Sequence, residues 1–157
     1  MREIRKMLKP ELPRIIKTIE EITQKPFYRK DITLFLTTYP RCPYNWKKGY
    51  IWVRWNEDLN RQIHTLLHEL LHFQFHKYYG ERLIKKIGKE NFEAIKEGMV
   101  VILDDYLKDW TGRGETTYVV YRKFSKELMK IWRKVDGNFK KFVDESIKTV
   151  KKYNFQG

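Results

Sequence analysis

The chain has 157 residues, with 33 Lys and Arg against 20 Asp and Glu, a formal net charge of +13, four histidines and a single cysteine. One cysteine excludes an internal disulfide framework and a four-cysteine metal site, and no apolar run approaches the ~18 residues of a membrane span. With 41% hydrophobic and 15% aromatic residues, the composition excludes a disordered chain and predicts one folded domain over residues 1–157.

Met1 to Pro10 carries Arg2, Arg5, Lys6 and Lys9 but no apolar h-region, so no secretory signal is expected and the chain is placed in the cytoplasm. Pro10 to Gln24 reads as a first helix, with Leu12, Ile15, Ile16, Ile19 and Ile22 at helical spacing, ended by Pro26. Ile32 to Thr37 is β-branched and aromatic enough for a strand. Pro40, Pro43, Asn45 and Gly49 mark a loop, and Tyr50 to Trp55 reads as a second strand antiparallel to the first. Asn56 or Asp58 is positioned to cap a helix running from Leu59 to about Tyr79, with Gly80 as its stop. Helices follow over about 81–87, 89–110, 117–135 and 138–153, with a turn at Thr111 to Gly114. The pattern predicts an α+β fold, predominantly helical, with a small antiparallel sheet near its start.

The positive charge is unevenly spread. Residues 1–30 hold 9 basic and 4 acidic residues, residues 31–112 hold 12 and 11, and residues 113–157 hold 12 and 5. The middle is nearly neutral. The C-terminal excess, which includes Lys123, Lys126, Lys130, Arg133, Lys134, Lys140, Lys141, Lys151 and Lys152 with Trp132 and Tyr153 nearby, suggests a nucleic-acid partner as the alternative function. Interspersed acidic residues favour an ordinary solvated face.

The near-neutral middle contains His68-Glu69-Leu70-Leu71-His72, an HExxH pattern within a helix. Histidines at i and i+4 stand on one face, ~6 Å apart along the axis, so both imidazoles can converge on one metal ion. Glu69 projects from nearly the same side, within reach of a water beside the metal. The extended segment Thr65 to Gln74 resembles the active-site helix of the zincin superfamily of zinc metallopeptidases and departs from it only at Gln74, where an apolar residue is commoner.

That resemblance implies a zincin-like arrangement, with the sheet packed beside the active-site helix and an extended substrate adding along the strand Tyr50 to Trp55. It also implies Zn²⁺ as cofactor, a peptide or protein as substrate, His68 and His72 as metal ligands and Glu69 as general base. The metzincin branch is excluded, because Phe75 and Tyr78 stand where its glycine and third histidine belong. His76 extends the stripe of His64, His68 and His72, but on an unbroken helix it lies ~12 Å from His68 and cannot share the same ion. His64 and His76 are expected to be solvated or to support the ligands from behind.

In the gluzincin branch a glutamate from a downstream helix completes the site, and Glu97, 25 residues after His72, resembles it. Glu93, Asp104 and Asp105 are the alternatives. Asp104 is also a candidate for orienting a ligand histidine. The oxyanion donor stays open among Tyr106, Tyr118, Tyr121, His64 and Arg122. Cys42, in the loop Pro40–Pro43, is expected to be inert.

Overall fold

The computed structural model describes residues 8–112, 118–153 and 155. Arg2, Arg5, Lys6 and the expected turn residues Arg113 and Gly114 fall outside this set. Helix α1, Leu12–Thr23, buries Ile15, Ile19 and Ile22 at the expected period. It ends with Gln24 in the left-handed region at φ 53°, two residues before Pro26.

Three short strands form one mixed sheet in the order β1-β3-β2: β1 is Thr33–Thr37, β2 is Tyr44–Asn45 and β3 is Tyr50–Arg54. The predicted antiparallel pairing of the first and last of these is wrong. β1 and β3 are parallel, with Leu34 opposite Ile51 and Leu36 opposite Val53, whereas β2 is antiparallel to β3. The reason lies in residues 38–49, a connection too long and too proline-rich for a tight hairpin turn. The chain uses it to travel back as β2 before re-entering the sheet as β3. β3 is therefore the middle strand, not the edge strand that the zincin resemblance implied. Its buried residues Ile51 and Val53 belong to the core beneath the sheet.

Helix α2, Leu59–Phe75, is capped by the Asp58 carboxylate, which accepts from the Arg61 amide. Two buried glutamines tie this helix to its neighbours. Gln62 Nε2 donates to the carbonyls of Arg54 and Glu57 at the end of β3. Gln74 Nε2 lies within 3.2–3.3 Å of the Thr23 hydroxyl and the carbonyls of Lys25 and Pro26, which accounts for a polar residue at that position.

Gly80 does not stop the helix. The chain continues through a π-helical turn, His76–Gly80, directly into α3, Glu81–Ile87. Gly80 keeps right-handed helical angles, and the break comes at Gly88, whose φ of 82° suits glycine. After Gly88 come α4, Lys89–Gly98, a 3₁₀ segment, Met99–Leu103, and α5, Asp104–Thr111. A second 3₁₀ turn, Val119–Tyr121, leads into α6, Arg122–Lys134, and Asn138 caps α7, Phe139–Val150, through the Lys141 amide. The architecture is α+β and predominantly helical, and among the described residues no helix is long and apolar enough to cross a membrane.

Candidate metal centre

Helix α2 carries a broad apolar face. Leu66, Leu67, Leu70, Leu71, Phe73 and Phe75 are fully buried, which makes α2 a central helix. His68, Glu69 and His72 interrupt that surface and line a cleft of about 710 Å³. Its other walls come from Pro40 to Tyr44, from Arg54 and Glu57 at the end of β3, and from Tyr118 and Val119.

Glu97 enters the same cleft from α4. On the next residue, Gly98, a Cβ would lie 3.0 Å from Leu128 and Phe124 of α6, so α4 packs closely there. With that side pressed onto α6, the adjacent Glu97 turns toward α2. Glu97 Oε2 lies 3.9 Å from His68 Nε2 and 3.6 Å from His72 Nε2. The three ligand atoms all fall within 4.8 Å of one another. Tetrahedral zinc with bonds of ~2.0–2.1 Å needs donors roughly 3.3–3.5 Å apart, so modest side-chain rotation would close the set. Among the alternatives, Glu93 is turned to Lys96, while Asp104 and Asp105 do not line the cleft.

The protonation states suit a cation. His72 is 1% exposed, and burial pushes its pKa down to about 3, leaving a neutral imidazole. Neither of its ring nitrogens has a hydrogen-bond partner, so Asp104 does not orient this ring. Burial opposes the Glu97 charge, but the His72 ring beside it and the Lys96 ammonium hold its carboxyl down at about 2. A buried neutral imidazole with orphaned nitrogens facing an ionised carboxylate is the donor chemistry that a divalent metal takes.

Behind the cluster stands a network absent from the sequence-based expectations. Lys96, only 6% exposed, places its ammonium 3.1 Å from Glu97 Oε1 and 3.1 Å from the Tyr44 hydroxyl, and also bonds Glu93. Burial works against its charge, yet Tyr44, Glu97 and Glu93 together raise its pKa. Glu97 Oε1 is thus held from behind while Oε2 faces the histidines. Tyr44 is pushed up to about 12, chiefly by burial, and remains a phenol. Its hydroxyl accepts from Lys96 and lies 3.4 Å from His76 Nε2. His76 is no ligand: it stacks on Trp46 at 5.4 Å and packs on Phe92. His64 is not solvated either, since it is buried and lines the cleft, and His76 is half-buried.

Of the proposed oxyanion donors, Tyr118 and His64 line the cleft, while Tyr106, Tyr121 and Arg122 do not. Cys42 lies in the cleft wall, where burial raises its thiol pKa and keeps it protonated. Local periodicity carried no sign of Tyr44, which sits in the loop between prolines and Gly49. Lys96 belongs to no motif in the sequence, and its pairing with Glu97 is buried. No family model, curated protein or solved structure matches this chain.

Proposed function

We propose that the chain is a zinc-dependent metallopeptidase of the gluzincin type, with His68, His72 and Glu97 as metal ligands and Glu69 as general base. The observation that supports this most is the convergence of Glu97 Oε2 on both histidine Nε2 atoms at 3.6 and 3.9 Å inside an open cleft. A bound zinc ion would supply Lewis acidity, lowering the pKa of water toward ~7 and polarising a carbonyl. Glu69, beside His68 in the cleft wall, accepts the proton of the attacking water and passes it to the leaving amine. Lys96 positions Glu97 through Oε1, and Tyr44 holds Lys96 in turn.

The basic C-terminal face offers less for a nucleic acid than its composition suggested. Trp132 is 4% exposed and packs edge-on against Phe142, while Tyr153 stacks on Phe155. The Trp132 ring is therefore not presented for base stacking.

Zinc content and peptide hydrolysis of four proteins test the reading. The native chain should bind about one zinc and cleave an unstructured protein such as casein. His72→Ala and Glu97→Ala should lose both properties, and Glu69→Gln should keep zinc while hydrolysis falls by about 10²–10⁴. Full activity in Glu69→Gln, or zinc binding unchanged without Glu97, would overturn it.

A further inference from the structure

At one end of the cleft two arginines share one carboxylate. Arg54 Nη1 lies 3.0 Å from Glu57 Oε1, and Arg61 Nε lies 3.8 Å from the same oxygen. Glu57 Oε2 and Arg54 Nε are buried without a hydrogen bond, and the accessible part of the pair is the remaining guanidinium surface of Arg54 and Arg61. Arg41, on the loop wall of the cleft, makes no ion pair among the described residues. Leaving aside the metal-site residues, the cleft lining therefore carries three guanidinium groups against one carboxylate. A guanidinium presents a planar fork of donors suited to bidentate carboxylate binding, and one oxygen of Glu57 occupies little of that capacity.

Resting on the peptidase reading, we propose that this end of the cleft is a subsite for a substrate carboxylate, about three residues from the scissile bond. The spacing follows from the helix. Arg61 precedes His68 by seven residues on α2, hence by ~10 Å along the axis. His64 and Thr65 line the cleft between them. An extended peptide rises ~3.3 Å per residue, so ~10 Å corresponds to about three residues. The carboxylate is an Asp or Glu side chain or the α-carboxylate of a chain terminus, because both present the same pair of oxygens to the fork.

The experiment uses ten-residue peptides carrying one glutamate scanned through every position, against the same set with glutamine, each with a free or an amidated C-terminus. Cleavage is measured with the zinc-loaded native chain, and binding by fluorescence polarisation with zinc-loaded Glu69→Gln. Glutamate about three residues from the cut should raise kcat/KM and affinity by about tenfold, less at high salt. Arg61→Gln and Arg41→Gln should each erode that preference, and Glu57→Gln, which removes the competing carboxylate, should strengthen it. A preference for the free C-terminus alone supports the subsite and assigns it to the α-carboxylate.

Cleavage with no preference for acidic peptides would overturn the subsite and leave the peptidase reading standing. Acid-selective binding that Arg61→Gln weakens, with no cleavage by the native chain, would support the subsite and overturn the peptidase reading. Absence of both would overturn both.

Discussion

The cleft and the C-terminal helices obey different rules. In α6 and α7 the apolar positions Phe124, Leu128, Trp132, Phe139, Phe142, Val143 and Val150 are buried at the helical period, and the lysines and arginines of the same helices are exposed. Local pattern and tertiary role agree there. Around the cleft they part: His72 lines it and Lys96 stands behind Glu97, yet their exposures are 1% and 6%. Burial of such groups costs free energy unless they are paired, and structures retain them where they serve a site. The comparison teaches that the lysines and arginines of the C-terminal helices and the candidate metal cluster occupy different parts of the molecule.

The largest effect expected from either region is in the core of α7. Phe142→Ala should destabilise by about 3–5 kcal/mol in chemical denaturation, without changing zinc stoichiometry of the protein that remains folded. Zinc loss at full stability would show that the C-terminal helices take part in the site after all.

A matched pair of lysine substitutions sharpens the contrast. Lys96→Met should weaken zinc binding about 10–100-fold in a competition assay, because Glu97 loses the cation that holds Oε1. Lys140→Met, on the exposed side of α7, should leave zinc affinity unchanged and shift stability by less than about 0.5 kcal/mol. Equal effects from the two would erase the distinction between the regions.

A smaller effect than that of Lys96→Met is expected from pH. His72 has a folded pKa pushed down to about 3, so between that value and its unfolded value near 6.5 the unfolded chain binds the extra proton. Stability of the metal-stripped protein must then fall as pH falls, by about 1 kcal/mol between about pH 7 and about pH 5.5 from this residue alone. Glu97, held down at about 2, adds a further loss as pH drops below its ordinary value near 4.5. Thermal melts of His72→Leu should show a shallower decline over the upper window. An unchanged slope would mean that His72 is solvated in the metal-free protein.

Much of this was legible in the chain itself. The spacing of His68 and His72 placed both rings on one face of a helix, and the 25-residue interval to Glu97 put a carboxylate on the next long helical run. Helical periodicity located most of the helices, and of the two candidate caps Asn56 and Asp58 it is Asp58 that starts α2. The errors share a cause. The strand pairing was misread because Tyr44–Asn45, a two-residue strand, carries no periodicity of its own, and its antiparallel run changes the direction in which β3 meets β1. Gly80 was misread because glycine stops a helix only where the backbone turns left-handed, and neighbouring packing decides that.

Composition and periodicity determined a predominantly helical fold with a small sheet, a basic periphery around a near-neutral middle, and a two-histidine helix face. Those properties depend on residues within a turn or two of each other, where backbone geometry alone sets the spacing. The tertiary structure decided the rest. It packed α4 against α6 at Gly98, set Glu97 beside the histidines of α2, and buried Lys96 against Tyr44. Each of these joins residues on different elements, and their meeting depends on how helices and strands pack.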